Sequence, residues 1–113
     1  MDSGEPSIMT TPFAVTVAGP PRHPVVTVQG EIDVATSPRL RNELNALIET
    51  GATDITLEFS GVSFVDSSGL GVLVGAYKRL HDDNSGTIRI IDAQASVRKV
   101  FEITGLAPAL LDG

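Results

Sequence analysis

The chain has 113 residues, a formal net charge of −6 and a hydrophobic fraction of 42%, which fits one globular domain rather than a disordered chain. Because it contains no cysteine, disulfides, thiolate metal sites and cysteine nucleophiles are excluded. The acidic balance argues against a nucleic-acid partner, and no apolar run approaches the ~18 residues of a membrane span. The N-terminus lacks a basic and then apolar leader, so we predict a cytoplasmic protein.

The first elements are predicted to form a hairpin. Residues 1–12 are rich in Ser, Thr, Pro and Gly and are expected to be a flexible tail, which leaves residues 13–113 as a single domain. Alternating runs predict one strand at residues 13–17 and a second at residues 25–28. The short, proline-rich turn between the two strands favours antiparallel pairing.

A strand–helix–strand unit follows the hairpin. The stretch Thr36-Ser37-Pro38 is typical of a helix start, with a hydroxyl cap and a proline in the first turn. Leucine and isoleucine side chains then recur at helical spacing as far as Gly51, a candidate C-cap. Residues 55–59 alternate as a third strand. Because the unit at residues 25–59 is a crossover, its two strands are predicted to pair in parallel.

The second half of the chain repeats this arrangement. Residues 60–65 are predicted to be a short connection, residues 70–81 a second helix and residues 87–91 a fourth strand. A third helix is predicted at residues 94–103, and residues 106–113 have room for a partial helix only. The order β-β-α-β-α-β-α predicts an α/β fold, in which a four-stranded mixed sheet carries helices on one face.

The most informative stretch is the D-S-S-G-L-G motif at residues 66–71, between the third strand and the second helix. Its carboxylate and both hydroxyls are candidate helix caps, although one cap is enough. Gly69 and Gly71 each cost about 1 kcal/mol of helix propensity relative to alanine, and they leave room for another backbone or a partner. We therefore interpret this junction as a binding surface, and Ser67 as the residue that changes chemical state.

Phosphorylation of Ser67 is physically sensible at this position. A phosphoryl group adds about −1.5 to −2 charges. A helix N-terminus tolerates an anion because of its dipole and its unpaired N–H groups, whereas the neighbouring Asp66 would repel the phosphate. The predicted effect is a change of local charge and bulk at a binding surface, without unfolding.

A metal site and a hydrolase triad are the first alternatives. Glu31, Asp33 and Asp66 follow strands predicted to be parallel, and such a carboxylate cluster would be able to hold Mg²⁺. We favour an acidic, partner-facing rim, because nothing else in the sequence completes a metal-enzyme site. His23 lies in a proline-rich turn and His81 at a helix end, and the predicted topology brings neither of them to the serines.

A nucleotide site is the second alternative. Gly69, Gly71 and Gly75 resemble a dinucleotide-binding turn, and Asp92 ends the next strand as a ribose-binding acid would. The spacing differs by one residue from G-x-G-x-x-G, and no P-loop lysine follows the serines. A small nucleotide-binding or nucleotide-hydrolysing protein is therefore the alternative function.

Four stretches together resemble the STAS domain of bacterial anti-sigma factor antagonists. They are G-E-I-D at residues 30–33, F-V-D-S-S-G-L-G at residues 64–71, V-R-K-V-F at residues 97–101 and T-G-L at residues 104–106. The resemblance covers residues 15–106, and the D-S-S-G-L-G motif is its most specific part. It implies a mixed sheet with helices on one side, which matches the element order predicted above. Many members continue with a longer final helix.

The resemblance implies partner switching by a protein that is not an enzyme and needs no cofactor. The unphosphorylated antagonist binds an anti-sigma factor that is also a serine kinase, and this frees the sigma factor. The kinase then phosphorylates the first serine of the motif, here Ser67, and a PP2C-type phosphatase restores the binding form. A scaffold role in a larger stress-signalling assembly is a weaker alternative. The implied partner-binding residues are Asp33, Asp66, Ser67, Ser68, Gly69, Leu70 and Gly71.

Overall fold

The computed structural model describes residues 12–82 and 86–112. Four strands form one mixed sheet in the order β1-β2-β3-β4. The elements in chain order are β1 (Ala14–Ala18), β2 (Val25–Ile32), α1 (Ser37–Glu49), β3 (Asp54–Val65), α2 (Ser67–Asp82), β4 (Thr87–Ile91), α3 (Ala95–Thr104) and α4 (Ala107–Leu110).

This architecture confirms the predicted order, with the short α4 where a partial helix was expected. Of the expected N-terminal tail, only Pro12 lies within the described residues, where it is exposed. Residues 83–85 of the predicted turn after α2 also lie outside them. In the part of the chain that the structure describes, no helix combines the length and the apolar character needed to span a membrane.

The strand pairing follows from the connections. β1 and β2 are antiparallel, with Val15 opposite Val28, because a short turn joins them. The pairs β2–β3 and β3–β4 are parallel, because a helix crosses over between the two strands of each pair. The predicted hairpin and the two predicted crossovers are therefore confirmed.

One face of the sheet is buried and carries the helices. In β2, every second residue from Val26 to Ile32 is buried, and the residues between them are at least partly exposed. The same core cluster includes Leu44 of α1, Leu73 of α2 and Phe101 of α3, so the helices pack on this face, as predicted. The fully buried strand side chains are Val26, Val28, Ile32, Ile55, Leu57, Phe59, Val62, Ile88 and Ile90.

β3 is longer than predicted. Residues 60–65, which were expected to be a connection, continue the strand and pair with β2, with register shifts along the way. The reason is that Val62 and Val65 are buried, so the core holds this segment in place despite its serines and glycine. β4 pairs with β3 only as far as Glu58 opposite Ile91. The rest of β3 therefore extends beyond β4, and we call residues 60–65 the β3 overhang.

The C-terminal residues belong to the folded core. Gly105 ends α3 in the left-handed conformation, with φ at 79°, which glycine adopts without strain. Leu110 of α4 is 1% exposed. Leu111 then forms a parallel bridge with Ile90, and the N–H of Asp112 donates to the carbonyl of Ile90 at 2.9 Å. This segment therefore lies along the outer edge of β4.

Leu110→Ala tests whether this short segment stabilises the domain. Truncating a buried leucine costs about 2–5 kcal/mol, and we expect a loss in this range in urea denaturation. Ile103→Ala is the matched control, because Ile103 is 76% exposed and should change the free energy of unfolding by about 0.5 kcal/mol or less. Equal stabilities for the two variants would show that α4 is not part of the core.

Candidate partner-binding site

The site lies where β3 passes into α2. β3 ends at Val65 and α2 begins at Ser67, three residues earlier than predicted. The N–H of Asp66, between them, donates to the carbonyl of Ile32 at 3.1 Å, which continues the pairing of β3 with β2. Asp33 and Asp66, the residues that follow the two strands, therefore come to the same edge of the sheet.

Asp66 is the N-cap of α2. Its Oδ1 accepts hydrogen bonds from the N–H groups of Ser68 at 2.8 Å and Gly69 at 3.2 Å, which satisfies two of the orphan donors of the first turn. The sequence offered three candidate caps, and the carboxylate fills this role. Within the described ranges, neither serine hydroxyl makes a hydrogen bond, so the role in the turn expected for Ser68 has no support.

Ser67 is exposed at the first position of the helix. Its hydroxyl has no partner in the described part of the chain, so it is accessible for modification. The sequence argument assumed that a phosphoryl group here would meet unpaired N–H groups. That assumption is wrong for Ser68 and Gly69, because the Asp66 carboxylate already binds both N–H groups.

Asp33 anchors the turn between β2 and α1 in a similar way. Its Oδ1 accepts hydrogen bonds from the N–H groups of Ala35 at 2.9 Å and Thr36 at 3.1 Å. Thr36, one of the two hydroxyl residues at the predicted helix start, is the N-cap of α1, but its hydroxyl makes no cap hydrogen bond. Its hydroxyl instead donates to the carbonyl of Glu31 at 2.7 Å and accepts from the N–H of Asp33 at 2.9 Å. These two hydrogen bonds connect the start of α1 to the end of β2.

The two aspartates thus share one arrangement. Each is partly buried and uses Oδ1 for its own turn, and the Oδ2 atoms of Asp33 and Asp66 have no hydrogen bond to described residues. Each turn therefore holds a carboxylate in place and presents one unbonded oxygen. This fits the acidic rim favoured above, and no group of three possible metal ligands occurs among the residues described.

The two histidines have other contacts. The Nδ1 atom of His23 lies 3.0 Å from a carboxylate oxygen of Asp54, at the start of β3 and therefore at the opposite end of that strand from the site. His81 stacks on Tyr77, with ring centroids 5.7 Å apart, near the C-terminal end of α2. The structure thus brings neither histidine to Ser67, and a Ser-His-Asp arrangement is not formed at this site.

The two glycines of the motif have different roles. A Cβ on Gly69 would lie 2.6 Å from Cγ2 of Ile32 and 3.0 Å from Cγ1 of Val65. Gly69 is therefore explained by packing inside the chain rather than by clearance for a partner. Gly71 is exposed, and a Cβ there would have nothing within 4 Å. Of the two glycines, only Gly71 is compatible with the interpretation that these residues leave space for a partner.

The glycine turn does not form a phosphate cradle. Such a cradle needs unpaired N–H groups and a close approach to the glycine backbone. Here the Asp66 carboxylate occupies the N–H groups, and the Ile32 side chain fills the space at Gly69. Gly71 and Gly75 instead border an open groove between α1 and α2. The geometry thus gives no support to the nucleotide-binding alternative.

Sequence analysis missed two apolar residues at this edge. Phe64, in the β3 overhang, is 47% exposed, and Val34, in the turn after β2, is 75% exposed. Leu70, which was predicted at the binding surface, is partly buried and packs against the core. Phe64 belongs to one of the four stretches that carry the family resemblance, but the sequence could not reveal that its side chain is exposed.

Gly69→Ala is expected to destabilise the domain. Its methyl group has to displace Ile32 or Val65, and overpacking of this kind costs about 1–3 kcal/mol. Gly71→Ala is the control, because its methyl group enters open space and should stabilise the helix by up to about 1 kcal/mol. Chemical denaturation measures both changes, and an equal effect from the two substitutions would contradict this packing argument.

Asp66→Ala is expected to lower the free energy of unfolding by about 0.5–2 kcal/mol, because the helix loses its cap. Ser68→Ala is the neighbouring control, since its hydroxyl makes no hydrogen bond with the described residues. Its effect should stay within about 0.5 kcal/mol. Thermal unfolding followed by circular dichroism distinguishes the two. A larger loss for Ser68→Ala would mean that the cap is assigned to the wrong residue.

Comparison with known proteins identifies the family of the chain. The family model of the STAS domain matches residues 14–110. The anti-sigma-B factor antagonist of Staphylococcus aureus is 40% identical over 81 residues, which cover 72% of this chain and 74% of that protein. The anti-sigma factor antagonist SpoIIAA in its unphosphorylated form matches with a TM-score of 0.77 at 29% identity, over 88% of each chain. The Bacillus cell fate determinant SpoIIAA in its phosphorylated form matches with a TM-score of 0.70 at 26% identity, over 88% of this chain and 91% of that one. The chain therefore belongs to the STAS domain family.

Proposed function

We propose that this chain is an anti-sigma factor antagonist whose binding to an anti-sigma factor is switched by phosphorylation of Ser67. The observation that carries the proposal is the exposed, unbonded hydroxyl of Ser67 at the edge that holds Asp33 and Asp66. It is supported by the curated relative, an anti-sigma-B factor antagonist. The nucleotide-binding alternative gains no support from the site or from these relatives.

The proposed cycle has two states. Without phosphate, the chain binds an anti-sigma factor that also has serine kinase activity, and the sigma factor is released. The kinase transfers the γ-phosphoryl group of ATP to Oγ of Ser67: the new O–P bond replaces the bond to ADP, and the hydroxyl proton passes to a base of the kinase. A PP2C-type phosphatase hydrolyses the phosphoester and restores the binding state. This role places the chain in the cytoplasm, where bacterial transcription takes place.

Charge explains why phosphorylation would end binding. The phosphoryl group adds about −1.5 to −2 charges at an edge that already carries Asp33 and Asp66. Asp66 holds the N–H groups of Ser68 and Gly69, so these two groups do not neutralise the new charge. An uncompensated charge buried at an interface costs roughly 3–5 kcal/mol. This corresponds to a loss of affinity of about a hundredfold or more.

The switch does not require a new fold. Phosphorylation of an exposed hydroxyl leaves the Asp66 cap and the packing of Gly69 in place. Structures of SpoIIAA in the unphosphorylated and phosphorylated forms both match this chain over 88% of its length, with TM-scores of 0.77 and 0.70. This likeness to both forms supports a change of surface charge as the signal rather than unfolding.

Substitution of Ser67 tests the switch. Ser67→Asp places a negative charge at the interface, and we expect it to weaken binding to the cognate anti-sigma factor by about a hundredfold. Ser67→Ala cannot be phosphorylated, so it should stay bound when ATP is added, whereas the wild type should dissociate. Intact mass after incubation with the kinase and ATP measures the modification, and calorimetry measures the affinity.

Ser68→Ala is the control for this experiment, because Ser68 is the neighbouring hydroxyl and lies partly buried. It should gain one phosphoryl group, as the wild type does. Binding of Ser67→Asp with the affinity of the wild type would exclude the proposed switch. Phosphorylation of Ser67→Ala would place the modification on another residue.

A further inference from the structure

We propose that the anti-sigma factor also binds an apolar patch beside Ser67, formed by Phe64 and Val34 and bordered by Glu31. We call these three residues the overhang patch. The matching surface on the partner is an apolar pocket flanked by lysine or arginine side chains. This inference rests on the proposed function, because it extends the contact surface of the same site.

The exposure of the two apolar residues is the first observation. Phe64 is 47% and Val34 is 75% exposed, and neither is among the partly buried side chains that pack against the core. The other large exposed hydrophobic residues of the described chain are Val17, Val25 and Ile103. Val17 and Val25 lie at the opposite end of β2, and Ile103 lies near the end of α3. Only Phe64 and Val34 therefore share the edge that carries Ser67.

The β3 overhang explains why Phe64 is left uncovered. β4 ends with Ile91 opposite Glu58, and Phe64 lies six positions further along β3, or about 20 Å at the usual rise per residue. On its other side, Phe64 pairs with Glu31 of β2. β4 thus offers no residue beside Phe64, and Phe64 alternates with the buried Val65, so its ring lies on the sheet face that carries no helix, shortly before the start of α2.

The charge around the patch indicates what occupies it. Residues 31–36 and 63–68, the two segments that build this edge, contain three carboxylates and no lysine, arginine or histidine. Glu31 is exposed, and the aspartates each keep an unbonded Oδ2. Basic side chains on the partner complement such a rim and would steer its approach. Buried aromatic anchors surrounded by a polar rim are typical of residues that dominate binding energy.

The negative charge around the patch also argues against a membrane or a second copy of the chain as its binding partner. An acidic rim is repelled by the anionic surface of a bacterial membrane, so the patch is a poor lipid contact. A second copy of the chain meeting it in a two-fold arrangement would bring like charges together. A basic protein partner is therefore the occupant that the chemistry favours, and the Ser67 switch lies beside it.

The test compares substitutions in the patch with an exposed apolar residue elsewhere. The probe is the anti-sigma factor of the same bacterium that the wild type binds, purified and titrated in ADP so that Ser67 stays unmodified. Phe64→Ala should weaken binding by about tenfold or more, and Val34→Ala by a smaller factor. Ile103→Ala, at a 76% exposed position, should bind as the wild type does.

The acidic rim is tested separately, by its effect on the rate of association with the partner. Glu31→Gln removes one charge without changing the shape of the side chain, so it should slow association and reduce its dependence on salt, with little change in the dissociation rate. Surface plasmon resonance at two salt concentrations measures these rates. A faster association of Glu31→Gln would overturn the assignment of a basic partner surface.

The outcomes distinguish this inference from the proposed function. If Phe64→Ala and Ile103→Ala bind equally well while Ser67→Asp does not bind, the overhang patch is overturned and the switch stands. If Ser67→Asp binds normally while Phe64→Ala does not, the switch fails and the patch stands. Should Phe64→Ala lower the unfolding midpoint, Val34→Asp in the exposed turn carries the same test. A dimer of the wild type that Phe64→Ala dissociates would assign the patch to a second copy.

Discussion

The close approach of Gly69 to Ile32 is the constraint on which the rest of the site depends. A Cβ at Gly69 would lie 2.6 Å from the Ile32 side chain, so the first turn of α2 rests directly on the end of β2. Successive helical residues are rotated by about 100°, so a residue two positions before an inward-facing one points outward. Ser67 is thus exposed because Gly69 is buried, and the packing of the core sets the position of the proposed phosphoacceptor.

Asp33 and Asp66 each have two roles, and one substitution would remove both of them at once. Asp33 and Asp66 each hold a turn through Oδ1 and present the charge of a carboxylate to the surface. Replacement by alanine removes both the turn hydrogen bonds and the charge, so a weaker complex would not by itself show a partner contact. Replacement by asparagine keeps an oxygen acceptor for the turn and removes the charge. The contribution of the charge to binding is therefore measured on asparagine variants.

Periodicity in the sequence was enough to predict the element order, the hairpin and the parallel crossovers, because each depends on neighbouring residues. The β3 overhang was missed because Ser60 and Gly61 interrupt the alternation, and only burial of Val62 and Val65 in the folded core keeps this segment extended. The difference between Gly69 and Gly71 was also beyond the sequence, since it depends on Ile32, far away along the chain. The sequence offered more than one candidate cap, and the hydrogen-bond geometry of the first turn selects Asp66.

The Asp66 cap also determines how much of the charge of a phosphate on Ser67 would be neutralised within the chain. An uncapped helix N-terminus would bind a phosphate on Ser67 through its free N–H groups and its positive dipole end, and much of the new charge would be neutralised within the chain. In this chain the Asp66 carboxylate already occupies the N–H groups of Ser68 and Gly69. A phosphate on Ser67 would therefore add its charge to the proposed partner surface. In the proposed switch, stability and signalling are thus separate: the cap stabilises the helix in both states, and the signal is the charge that the N–H groups of Ser68 and Gly69 do not neutralise.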